Sequence, residues 1–157
     1  MEIQDIFLSL DVAVKEEKDA NGGKELRVMI DRKFEEAGDW EKISNGGIDW
    51  KKNFRCNQTF IARIGVEVQV SARSDLLVRD IVHLRNSIQA GEIDVGIVAV
   101  PSDRLSYFLP DRCPSFKDAV RYIEEEFKEA ANFPLAVIAV EHDRAADVPF
   151  AKQKRRA

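Results

Sequence analysis

The stretch Phe60-Ile61-Ala62-Arg63-Ile64-Gly65-Val66-Glu67-Val68-Gln69-Val70 governs the rest of the chain. It is rich in β-branched and aromatic residues and so predicts a strand. Its period of two sets Glu67 and Gln69 on one face and Val66, Val68 and Val70 on the other. Just upstream, Ile48-Asp49-Trp50 predicts a neighbouring strand, with the turn-prone Arg55-Cys56-Asn57-Gln58 between the two. Downstream, Ser74-Asp75 supplies a helix cap. Leu76, Leu77, Val78, Ile81, Val82, Leu84 and Ile88 then run at helical spacing to a stop at Gly91. Residues 93–100 form a nearly continuous apolar run closed by Pro101, which predicts a central strand buried on both faces.

Further out the pattern is helical. Ile3, Ile6, Phe7, Leu10 and Val14 recur at three and four residues, which predicts a helix through residues 3–14. After Asn21-Gly22-Gly23, the apolar Leu26, Ile30 and Phe34 predict a second amphipathic helix ending near Gly38, and Asn45-Gly46-Gly47 is a turn. Ser115 caps a helix whose apolar face is Phe116, Ala119, Val120, Ile123 and Phe127. Pro134 ends that exit, and Leu135-Ala136-Val137-Ile138-Ala139-Val140 predicts a last buried strand. The expectation is one α/β domain over residues 1–157, a mixed central β-sheet flanked by helices. Within it lie a helical N-terminal region (1–38), a core (39–143) and a basic tail (144–157).

Composition agrees with a folded domain. The chain has 157 residues, 45% hydrophobic and 33% charged, which excludes disordered and collagen-like classes. A net charge of −4 lacks the basic excess of a non-specific nucleic-acid binder, but leaves room for a local basic face. Cys56 and Cys113 are too few for a disulfide scaffold and lack structural-zinc spacing, which leaves free thiols in a reducing cytosol. No run approaches a membrane span, and the acidic start is unlike a signal peptide, so a cytoplasmic protein without a membrane partner is expected. Lys152, Lys154, Arg155 and Arg156 make a basic end, either solvated or touching a polyanion.

Most charges fall on helix faces. Asp49 and Glu67 do not: each sits among apolar strand residues, where an unpaired carboxylate is costly to bury. If their strands are adjacent, two carboxylates and the Gln69 amide converge. Two carboxylates with a backbone carbonyl are an oxygen-rich shell suited to Mg2+, which points to phosphodiester hydrolysis. The other reading puts Glu67 and Gln69 on the solvated face of an edge strand, balanced by Arg63 or Arg73.

The order of these segments carries a resemblance. Asp49 in Gly47-Ile48-Asp49-Trp50-Lys51-Lys52, seventeen intervening residues, and Glu67-Val68-Gln69 with a helix and a buried strand after it resemble the PD-(D/E)xK nuclease core. With Ser74-Asp75-Leu76-Leu77-Val78-Arg79-Asp80, His83-Leu84-Arg85, residues 90–97 and Val100-Pro101-Ser102-Asp103-Arg104-Leu105, the chain is similar to BglII-like restriction endonucleases over roughly residues 40–143. Gln69 stands where the superfamily usually has lysine, as in the BglII-like branch, and Ile48 replaces the proline before Asp49. The chain is shorter than BglII-type enzymes, which carry extra segments around the duplex.

What the resemblance implies is a Mg2+-dependent type II restriction-like deoxyribonuclease, with Mn2+ as a substitute metal, acting on double-stranded DNA as a homodimer. Asp49, Glu67 and the Val68 carbonyl would hold the metal, and Gln69 would orient the attacking water. Ser102, Asp103 and Arg104 would read base edges. The alternative at that loop is a turn in which Asp103 caps and Arg104 pairs with Asp111 or Glu92. Lys51, Lys52, Arg55 and Arg73, extended by Arg79 and Arg85, would contact phosphates, or be solvated. His83 is read as a half-buried helix histidine rather than a general base, and Glu141-His142 as a pair without a third metal ligand. The alternative function is a module of the same fold without catalysis, binding nucleic acid or a protein.

Overall fold

The computed structural model describes residues 2–43 and 47–153. In chain order its elements are α1 (Ile3–Leu8), β1 (Ala13–Val14), α2 (Gly23–Ala37), β2 (Glu41–Lys42), β3 (Trp50–Cys56), β4 (Thr59–Val68), α3 (Ser74–Gln89), β5 (Val95–Pro101), α4 (Asp103–Phe108), α5 (Phe116–Arg121), β6 (Leu135–Val140) and β7 (Arg144–Ala145). A π-helical turn, Tyr122–Glu126, prolongs α5.

Five strands make the main sheet in the order β2-β3-β4-β5-β6. The β2–β3 and β3–β4 pairs are antiparallel, whereas β4, β5 and β6 are mutually parallel, so the sheet is mixed. β1 and β7 pair separately, in parallel. Alternation along β4 and β5 divides the core between the two faces. Val66, Val68, Val70, Ile97 and Ala99 pack with Ile6, Leu26, Ile30 and Phe34 of α1 and α2. Val98 and Val100 pack with Leu77, Ile81 and Leu84 of α3 and with Ala119 of α5. β5 is therefore buried on both faces, as its unbroken apolar run requires.

Several boundaries depart from the periodicity. The first helix stops at Leu8. Leu10, Val12 and Val14 also alternate by two, and in the fold all three are buried beyond the helix, with Ala13–Val14 extended and paired with β7. The hairpin turn narrows to Asn57 and Gln58, both at positive φ, as a two-residue hairpin loop demands. Ser74 is the first residue of α3 rather than its cap; Arg73 holds the cap position without a side-chain bond. β6 is the sheet edge and only half-buried. Part of the expected basic tail is structured: Arg144–Ala145 form β7, and Phe150 is buried against the α1–α2 core. Lys154, Arg155, Arg156 and most of the Asn45-Gly46-Gly47 turn lie outside the described residues. Among the described residues, no helix is long and apolar enough to cross a membrane.

Candidate active site at the ends of the central strands

Pairing of Trp50 with Val66 brings the start of β3 beside the end of β4. Asp49, immediately before β3, consequently reaches across: its Oδ2 accepts from the Val68 amide at 2.8 Å. Asp49 and Glu67 therefore lie at adjoining strand ends. Glu67 and Gln69 are each only 3% exposed, because β4 lies between β3 and β5 and this face is covered by α3. They are therefore not on a solvated edge, and Arg63 is bound to Asp94 instead.

The Gln69 amide is held on both sides. Its Nε2 lies 3.3 Å from Asp80 Oδ2, and its Oε1 accepts from the Ser71 hydroxyl at 2.7 Å. Asp80 is itself buried and takes a 3.2 Å contact from Arg79. Glu67 Oε1 is buried with no hydrogen-bond partner among the described residues, and stands 3.6 Å from His83 Nδ1. Burial, reinforced by the charges of Asp49 and Asp80, pushes the Glu67 carboxyl up to about 9. Asp80 is also raised, chiefly by burial.

One residue that the sequence did not single out lies against the predicted ligands. Arg27 on α2 sends Nη2 to Asp49 Oδ1 at 2.9 Å and Nη1 to the Val68 carbonyl at 2.8 Å. Its Nε donates to Asp31 Oδ1 at 2.9 Å, and that oxygen also accepts from Trp50 Nε1. A steric fit sets its place: α2 begins at Gly23, where a Cβ would overlap the Val70 carbonyl oxygen, so the helix start lies directly on the chain leaving β4. Arg27 follows one turn later. Arg27, Asp49, Glu67, Gln69 and Asp80 line an open cavity of about 500 Å³ that also takes in Lys24, Arg79 and Pro110. It opens at the carboxyl end of β4 beside the start of β3.

The other residues named in advance are dispersed. Lys52 lies 2.6 Å from Asp39 and over the Trp40 ring, and Arg73 pairs with Asp75. The 101–104 segment is not a loop: Pro101 ends β5, and Ser102 caps α4 by accepting from the Leu105 amide at 2.9 Å. Asp103 accepts from the Lys117 amide, and Arg104 bonds Glu16 rather than Asp111 or Glu92. His142 is buried between Glu141 and Glu16. Lys51 is half-buried on β3. Asp80 was recoverable by the logic that exposed Glu67, because it lies on the helical stripe Leu77, Ile81, Leu84. Arg27 stands off the apolar stripe Leu26, Ile30, Phe34 and carries no such signal.

The family model described as restriction endonuclease BamHI matches residues 7–152. The type II restriction enzyme BamHI of Bacillus amyloliquefaciens is 29% identical over 119 residues, covering 69% of this chain and 55% of that enzyme. The chain thus spans about half the length of the curated relative it matches.

Proposed function

The chain belongs to the BamHI restriction endonuclease family, and on that premise we propose that it is a type II restriction-like endonuclease hydrolysing phosphodiester bonds in double-stranded DNA, with Mg2+ or Mn2+ as cofactor. The observation that carries this reading is the convergence of Asp49, Glu67 and the Val68 carbonyl at the mouth of one cavity. Gln69 in place of lysine supports a BglII-like form of the site. Free Cys56 and Cys113 suit a cytoplasmic protein.

The residues fit a hard divalent cation. Their donors are carboxylate and carbonyl oxygens, the set such an ion takes. Asp49, Glu67 and the Val68 carbonyl would hold it; bound there, it would supply Lewis acidity to the scissile phosphate and a more acidic water. Arg27 is already bonded to two of these groups, so its guanidinium has to yield, and the cavity gives it room beside Lys24 and Arg79 to bind a phosphate. Gln69 is fixed by Ser71 and Asp80 and so can orient a water by hydrogen bonding. Its amide does not take up a proton at working pH, so the proton leaves to a phosphate oxygen or solvent.

Ser102, Asp103 and Arg104 would read base edges after giving up their present partners, and Lys51, Lys52 and Arg73 would follow the phosphates. Cutting both strands of a palindrome calls for two sites about a two-fold axis, hence a homodimer. The test is incubation of a long mixed-sequence duplex with Mg2+ or with EDTA, using wild type and Asp49→Ala. Discrete fragments that vanish with EDTA and in the variant are expected. Absence of cleavage by folded wild type in Mg2+ and Mn2+, or undiminished cleavage by Asp49→Ala, overturns the proposal.

A further inference from the structure

Glu67 faces two neighbourhoods. Asp49 lies on one side, and on the other its Oε1 points toward α3, where no hydrogen bond from the described residues satisfies it. His83 Nδ1 is 3.6 Å away, beyond hydrogen-bonding reach. Asp80 completes the group: one ligand atom each from Glu67, Asp80 and His83 lie within 4.8 Å of one another. Asp80 and His83 are three apart on α3, which puts carboxylate and imidazole on the same helix face. In the proposed reaction Asp80 serves only to hold the Gln69 amide, and His83 has no part.

A buried carboxylate oxygen, on a residue only 3% exposed, should have a partner, since leaving it bare costs about 1–3 kcal/mol. We propose that Glu67, Asp80 and His83 bind a second divalent cation, of the Mn2+, Co2+ or Zn2+ class, with Glu67 shared between this site and the one formed by Asp49 and the Val68 carbonyl. The imidazole sets the class, because nitrogen ligands favour transition ions over Mg2+. The surroundings suit such a site. His83 has a third of its side chain in solvent and gives a way in. Arg79, more than half exposed, can release Asp80 to the ion, and the Gln69 amide beside Asp80 orients that carboxylate from behind. The proposal stands on Asp80 and His83 and does not require the chain to be a nuclease.

The experiment titrates the full chain with Mn2+, following free ion by electron paramagnetic resonance, and with Co2+, following visible absorption. Wild type is compared with His83→Gln, Asp80→Asn and Asp49→Asn, each shown folded by circular dichroism. The expected result is that His83→Gln and Asp80→Asn weaken one class of bound Mn2+ by more than about tenfold while sparing the other. His83→Gln also alters the Co2+ spectrum, which a purely structural role for the imidazole would not do. Binding and spectra unchanged in both α3 variants overturn the site but leave the Asp49 cation intact. Loss in the α3 variants with no effect of Asp49→Asn supports this site and overturns the Asp49 cation. Wild type that binds neither ion at millimolar concentration overturns both.

Discussion

Arg27 and Asp49 are joined by a 2.9 Å ion pair, and the same guanidinium donates to the Val68 carbonyl at 2.8 Å. A positive charge from the chain itself thus compensates a site crowded with Asp49, Glu67 and Asp80. Removing it exposes that crowding. Arg27→Gln is expected to lower stability without metal by about 1–3 kcal/mol, chiefly because Asp49 Oδ1 loses its cation while Asp31 keeps Lys42 and Trp50. Mn2+ should then raise the melting temperature of the variant more than that of wild type, since no side chain has to be displaced. Melting curves in EDTA and in Mn2+ decide this; equal Mn2+-induced shifts in the two proteins would refute it.

Gly23 makes a separate steric prediction. A methyl group there overlaps the Val70 carbonyl oxygen, which belongs to backbone and cannot rotate aside. Gly23→Ala should therefore push the start of α2 off the end of β4 and carry Arg27 with it. The expected destabilisation is about 1–3 kcal/mol, the usual range for overpacking. Gly38→Ala is the control for a glycine in open space, where only the left-handed backbone opposes the change. Urea denaturation of both variants compares the two causes, and a Gly23→Ala protein as stable as wild type would show that α2 is free to shift.

The mixed sheet, the helix after β4 and the strand buried on both faces could be read from the sequence because each rests on a strong local period. So could the pairing of Asp49 with the Glu67 strand, since both acids interrupt apolar runs. What escaped was decided by contacts far apart in sequence. Leu10 and Val14 satisfy helical and extended spacing alike, and β7, more than a hundred residues later, selects the extended form. Arg27 looked like one more charge on an amphipathic helix; only the seating of Gly23 against Val70 shows where it points. Ser102 and Asp103 suggested a loop because their helix, α4, has a single buried side chain, Leu105.

Glu67 sets the pH response of the metal-free protein. Burial and the neighbouring acids hold it at about 9 in the fold, against an ordinary 4.5 in the unfolded chain. Between those values the folded state keeps a proton that the unfolded state has lost, so stability falls as pH rises. The contribution is whole below the ordinary value and gone above the raised one. Denaturation midpoints in EDTA from pH 5 to pH 9 should slope downward, and Glu67→Gln should flatten the slope by removing the titration. A slope unchanged in that variant would place the titrating group elsewhere.

Gln69 is an amide held at both ends. Its Nε2 faces Asp80 Oδ2 at 3.3 Å while its Oε1 takes the Ser71 hydroxyl and amide, so both ends of the amide have partners. Gln69→Glu keeps the shape and the acceptor but replaces the donor toward Asp80 with a carboxylate. In the metal-free protein, three buried acids would then share one side of α3, at a cost of about 1–3 kcal/mol for the lost donor at neutral pH. Protonation restores a donor, so the deficit should shrink at pH 5 and grow at pH 8. Mn2+ should also reduce it, by compensating the added charge. Urea midpoints at the two pH values, with and without Mn2+, measure each arm. A deficit independent of both would mean that the substitution acts through packing and that Asp80 is not the partner that matters.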